Sequence, residues 1–122
     1  MSKFFVTLIS FIAMSLSSAE ANLAYITNEK DNTVSVIDIK KKKVINTIKV
    51  GQRPRGIIMS KDGKLVLICA SDDDRVEVRD AKTMKLKYHL PSGPDPELFV
   101  LSPDDQTLYI ANEDDAMVTV VD

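Results

Sequence analysis

The sequence predicts an all-β fold from two observations. Three segments of the chain repeat with one period, and within them apolar and polar residues alternate as on half-buried strands. The segments are LAYITNEKDNTVSVID (23–38), LVLICASDDDRVEVRD (65–80) and TLYIANEDDAMVTVVD (107–122), each 42 residues after the last without a gap. Ile26, Ile68 and Ile110 align, as do Val34, Val76 and Val118, then Val36, Val78 and Val120, and Asp38, Asp80 and Asp122 close each segment. The intervening stretches keep the same offset: Gly51 with Gly93, Pro54 with Pro96, Ser60 with Ser102, Asp62 with Asp104. A period in the low forties built of strands is that of a β-propeller whose units are four-stranded antiparallel blades.

Each element follows from local pattern. Inner strands at 56–60 and 98–102 are short and apolar on both faces, which suits a strand sandwiched between neighbouring blades. Second strands fall at 23–27, 65–70 and 108–111, and third strands at 33–38, 75–80 and 117–122, where Val76-Glu77-Val78-Arg79 alternates with period 2. Outer strands fall at 44–50 and 86–90. Lys61-Asp62-Gly63-Lys64 and Pro103-Asp104-Asp105-Gln106 supply turn chemistry between inner and second strands. The blade units are therefore 23–64, 65–106 and 107–122, an incomplete ring of under three blades, with one complete blade between Arg55 and Leu90. A closed ring needs roughly four to eight blades, so the flanking sheets are expected to present bare faces and edges, as in a fragment of a longer propeller.

Residues 1–21 are read as a signal peptide. Lys3 gives a positive start, an apolar run extends from Phe4 to Leu16, and Ala19 and Ala21 have the A-x-A spacing of a cleavage site. The run is short for a bilayer span, so no membrane span is expected after cleavage. Export places the product in the periplasm of a Gram-negative source.

Composition narrows the chemistry. Lys+Arg is 16 and Asp+Glu 18 in 122 residues, a net charge of −2, whereas a nucleic-acid binder carries a basic surplus. One Cys and one His leave no internal disulfide and no multi-histidine metal site. No C-x-x-C-H, phosphate loop or nucleophile elbow occurs, and no cofactor or catalytic residue is assigned. The acidic turns Asp72-Asp73-Asp74 and Glu113-Asp114-Asp115 lack the alternating ligands and glycine of a calcium loop, so they are read as solvated turns. Cys69 aligns with Thr27 and Ala111 and reads as a packed strand residue, and His89 as an outer-strand surface residue.

The loops entering the inner strands carry the candidate site. Arg53 and Arg55 align with Asp95 and Glu97, so opposite charges stand at equivalent places of neighbouring blades, at the expected channel mouth. They can pair with each other or grip a polar ligand or partner, since Arg offers a planar fork for carboxylates.

Tyr25-Ile26-Thr27-Asn28, Thr33-Val34-Ser35-Val36-Ile37-Asp38, Val50-Gly51-Gln52-Arg53-Pro54-Arg55-Gly56 and Ser60-Lys61-Asp62-Gly63-Lys64 resemble the YVTN-type β-propeller repeat. More narrowly, 28–33, 51–56, 69–74, 91–98 and 111–115 resemble the seven-bladed propellers associated with PQQ-dependent alcohol catabolism. Leu67-Ile68-Cys69-Ala70 replaces the Tyr-Val-Thr-Asn signature, and Lys61 stands where Pro is usual. The resemblance implies an exported protein in the context of a periplasmic quinoprotein dehydrogenase or a transport component, and not a particular reaction; the inner strands, whose polar members are only Ser60 and Ser102, favour a non-enzymatic binding or scaffold role. The alternative is a lactonase-type propeller enzyme whose catalytic groups lie in further blades.

Overall fold

The computed structural model describes residues 22–122, so the signal-peptide reading of residues 1–21 falls outside the described residues. Ten strands follow in order: β1 (Leu23–Asn28), β2 (Thr33–Asp38), β3 (Lys43–Lys49), β4 (Pro54–Met59), β5 (Leu65–Ala70), β6 (Arg75–Asp80), β7 (Leu86–Pro91), β8 (Pro96–Leu101), β9 (Leu108–Asn112) and β10 (Met117–Val121). One 3-10 turn, Ser71–Asp73, interrupts them where a plain hairpin turn was expected. The strands form three antiparallel sheets: sheet I, β1-β2-β3; sheet II, β4-β5-β6-β7; and sheet III, β8-β9-β10. Sheet II is the complete four-stranded blade, and the chain is a partial β-propeller.

Backbone irregularities repeat with the sequence. The β2/β3 ladder shifts register at Val36/Ile37 and β6/β7 at Val78/Arg79; β4/β5 shifts between Pro54 and Ile57, and β8/β9 between Pro96 and Leu98. Positive φ recurs at Asn32, Asp74 and Ala116, at Lys42 and Met84, at Arg53 and Asp95, and at Gly63 and Asp105. Side chains hold these turns: the Ser60 hydroxyl donates to Asp62 Oδ1 (2.7 Å) and the Ser102 hydroxyl to Asp104 Oδ1 (2.6 Å), while Lys64 N and Gln106 N donate to the same carboxylate oxygens. Asp80 Oδ1 accepts from the Thr83 amide (2.8 Å) and hydroxyl (2.9 Å), and Asp38 Oδ1 from the Lys41 amide (2.9 Å).

The core lies between sheets. Val66 and Ile68 of sheet II pack with Val34 of sheet I and Met84, and Leu67, Cys69, Val76 and Val78 pack with Leu108 and Ile110 of sheet III. Alternation decides the partner: even positions of β5 face sheet I and odd positions face sheet III. The β5 strand is thus buried on both faces, as a strand between two blades must be. The outward face of sheet III is bare, with Leu98 65%, Val100 60%, Val118 63% and Val120 56% exposed.

Candidate functional site

One end of the inner strands carries a charged cluster. Arg53 sits in the left-handed region at φ 50°, and its equivalent Asp95 at φ 46°. Each is held by an acceptor 21 residues earlier: Asn32 Oδ1 accepts from Arg53 N (2.8 Å), and Asp74 Oδ1 from Asp95 N (3.0 Å). Ser71 N then donates to Arg53 O and Glu113 N to Asp95 O, tying the inner-strand loop to the turn after the second strand in both sheets. Gly51 enters the first loop because nothing larger fits: a Cβ there would stand 2.6 Å from Ala70 Cβ and 2.7 Å from Asp73 Oδ2.

The sequence-derived residues come together. Arg53 Nη1 lies 3.4 Å from Asp95 Oδ1, and the Arg55 guanidinium pairs with Glu97. Three further acids join them. Arg53 Nε donates to Glu29 Oε1 (3.3 Å) and Nη1 to Asp72 Oδ1 (3.1 Å), and Glu113 Oε2 lies 3.9 Å from Arg53 Nη2 and 3.7 Å from Arg55 Nη1. Asp72 above all, then Asp95 and Glu29, pushes the Arg53 pKa up against the opposing effect of desolvation, so this guanidinium is cationic at every accessible pH.

Two guanidiniums therefore face five carboxylates. The arginines are about 30% exposed, Asp95 and Glu97 lie deeper, and Glu29, Asp72 and Glu113 are about half exposed. The result is a neutralised centre inside an acidic rim. Oxygens of Asp95, Glu97 and Glu113 lie within 4.8 Å of one another, a hard-oxygen set of the kind that takes Ca²⁺ or Mg²⁺, but Arg53 and Arg55 already supply their counter-charge.

Glu29 is not among the sequence-derived site residues, and Asp72 and Glu113, read from the sequence as members of solvated turns, instead face the arginines. A signal for them exists: Glu29 and Glu113 stand two repeats apart, and the turn after a second strand lies at the same end of a blade as the loop entering the inner strand. Cys69 is fully buried between sheets II and III, and burial pushes its thiol up to about 12. His89 lies on the exposed outer strand β7. No helix among the described residues is long and apolar enough to cross a membrane.

Residues 3–97 match the cytochrome D1 heme domain family. The chain belongs to that family. No curated protein matches it. Among solved structures it is similar to the hydrazine synthase of Kuenenia stuttgartiensis (TM-score 0.76, 24% identity, covering 82% of this chain and 29% of that one). It is also similar to the dihydro-heme d1 dehydrogenase NirN in complex with DHE (TM-score 0.69, 20% identity, 84% of this chain and 22% of that one). A functionally unknown protein from Desulfotomaculum acetoxidans DSM 771 follows (TM-score 0.66, 18% identity, 84% of this chain and 38% of that one). At these identities the likeness is one of fold, and the chain spans under two fifths of each structure.

Among the described residues of this cytochrome D1 heme domain member, neither the imidazole nor the thiol is placed to hold a heme. A heme iron takes an axial imidazole, thiolate, thioether or phenolate. The imidazole of His89 is on the outer strand, and the Cys69 thiol is buried and protonated. The arginines that would receive heme carboxylates are engaged by Asp72, Asp95, Glu29, Glu97 and Glu113.

Proposed function

We propose that this chain is part of an exported, periplasmic β-propeller that acts as a non-enzymatic docking scaffold, cleaved after Ala21 and built of blade units 23–64, 65–106 and 107–122. Its working surface is the mouth formed by Arg53, Arg55, Asp95 and Glu97. The observation that carries the reading is the charge arrangement there: the arginines are neutralised in place, while Glu29, Asp72 and Glu113 turn half-exposed carboxylates outward. Such a rim steers a cationic surface and adds little to a small anion's affinity. The resemblance of Gly51–Gly56 and Pro91–Leu98 to the propellers of PQQ-dependent alcohol catabolism supports a quinoprotein dehydrogenase as the partner.

The test is binding of the chain to a purified periplasmic quinoprotein dehydrogenase from the same source across ionic strength. Between about 10 mM and 1 M the Debye length falls from ~30 to ~3 Å, so affinity should drop steeply. Glu29→Gln with Glu113→Gln should weaken binding at low salt and flatten its salt dependence. Absence of binding at low salt, or binding indifferent to both substitutions, overturns the proposal.

A further inference from the structure

The end of the blades opposite the mouth carries the opposite charge. Strands β2, β4 and β6 start at the mouth, so the connections that follow them stand at the far end, where Ala81 N donates to Lys64 O at 2.9 Å. Lys40–Lys43, Lys64, Lys82, Lys85 and Lys87 lie there, all exposed. The neighbouring carboxylates are engaged in their own turns. Asp62 Oδ1 accepts from the Ser60 hydroxyl and Lys64 N, Asp80 Oδ1 from the Lys82 and Thr83 amides, and Asp38 Oδ1 from Lys41 N. Lys41 and Lys64 reach Asp38 and Asp62 at 3.3 and 3.7 Å, but among the described residues Lys40, Lys42, Lys43, Lys82, Lys85 and Lys87 form no ion pair.

Further blades leave this surface open. Sheet II has a sheet on either side, yet Lys82, Lys85 and Lys87 remain exposed on its outer strand and on the connection before it. Lysines on an outer strand also guard its edge against pairing with another chain. That role does not account for Lys40–Lys42, Lys64 and Lys82, which stand between strands.

Three features select the occupant. The basic charges here are all lysine, whereas every arginine of the chain, Arg53, Arg55, Arg75 and Arg79, pairs with a carboxylate. Lysine is a mobile point charge that suits a fluid array of phosphates and lacks the planar fork of a geometry-specific contact. Apolar side chains stand among the lysines, with Ile39 52%, Leu86 44% and Tyr88 47% exposed, as a bilayer interface accommodates. Lys64, Lys82 and Lys87 also line a recess of about 430 Å³ at this end of sheet II, roomy enough for the phosphodiester of a lipid headgroup.

We propose that this end of sheets I and II docks on an anionic phospholipid bilayer. The same surface potential repels Glu29, Asp72 and Glu113, so the mouth turns away from the lipid. The proposal stands independently of the docking function, since it uses the opposite end of the blades.

Sedimentation of the full chain with phosphatidylglycerol or phosphatidylcholine vesicles at low salt tests it. Wild type should partition at least about tenfold more strongly to the anionic vesicles, since each lysine at such a surface contributes about fivefold. Lys82→Gln with Lys87→Gln should lower that partitioning about tenfold. Lys30→Gln with Lys49→Gln, the same charge loss at the mouth end, should leave it within about twofold. The apolar run at 4–16 contributes alike to all three proteins. Acetylation read by mass spectrometry should find Lys82 and Lys87 protected by the anionic vesicles and Lys30 still reactive. Equal partitioning to both lipids, or equal effects of the two substitution pairs, overturns the proposal. Protection of Lys82 and Lys87 by polyglutamate but not by the vesicles also overturns it, and assigns the surface to an acidic protein.

Discussion

Glu77 and Arg79 form an ion pair inside the protein, and its replacement by residues the chain uses elsewhere is the sharpest test of the packing described. The two side chains are 4% and 9% exposed; Glu77 Oε2 accepts from Arg79 Nε and Nη2, each at 2.8 Å, and Arg79 Nη1 donates to Met84 O at 2.9 Å. Sheet III fills the equivalent positions with Thr119 and Val121. Arg79→Val alone leaves a buried carboxylate without a cation, and Glu77→Thr alone leaves a buried guanidinium without an anion; each should cost about 3–5 kcal/mol. The double replacement removes both charges. Its remaining cost is the Met84 carbonyl that loses its donor, about 1–3 kcal/mol, offset by the desolvation that the pair no longer suffers. The double variant should therefore be more stable than either single, within about 2 kcal/mol of wild type, with a coupling of at least about 4 kcal/mol. Urea unfolding followed by far-UV circular dichroism, with the slope constant across variants, reads these values. Singles costing under about 1 kcal/mol each, or a double equal to their sum, would refute the reasoning.

Three more expectations rest on other residues. Gly51→Ala should destabilise by about 1–3 kcal/mol by forcing a Cβ to 2.6 Å from Ala70 Cβ, whereas Gly63→Ala, which meets only Met59 Sδ at 3.9 Å, should cost only the left-handed backbone penalty of about 1–2 kcal/mol; urea midpoints compare them. Cys69 should resist a thiol reagent in the native protein and react fully in urea, because its thiol is buried and its pKa pushed up to about 12; rapid native labelling would contradict the buried placement. Backbone amides chiefly hold Asp38 (Lys41) and Asp80 (Thr83) below their ordinary pKa, and hydroxyls hold Asp62 (Ser60) and Asp104 (Ser102) there, so their contribution is present above the unfolded carboxylate value of about 4 and is lost as pH falls through the depressed folded values. Melting midpoints should fall below that pH, and Ser60→Ala with Ser102→Ala should make the decline shallower.

Strand identity was legible because the repeat fixes it. The 65–70 and 75–80 strands coincide with β5 and β6. The inner strands start two residues earlier than expected, since Pro54 pairs with Ala70, and Pro96 with Asn112, across irregularities that a periodic pattern does not announce. Pro lacks an N–H, so its place in a ladder is visible only once the bulge is. Half of the mouth was legible from aligned opposite charges. Glu29, Asp72 and Glu113 were not, because their contact with Arg53 and Arg55 depends on two turns meeting at one end of the blades, which sequence distance hides. Gly56 and its repeat equivalent Leu98 differ by a side chain, yet the consequence depends on the close approach of β8 to Gly56, which only coordinates reveal.

Sheet II is covered on both faces, sheets I and III on one each, and this sets how the molecule moves. In an array where each unit touches only its neighbours, opening free energy is a sum of unit and interface contributions. The middle unit loses two interfaces on opening and the flanking units lose one. Amide hydrogen exchange should accordingly be slowest along β5 and β6 and progressively faster towards β1 and β10. Limited proteolysis should trim from both ends and pause at the central blade, and refolding should begin there and spread outward.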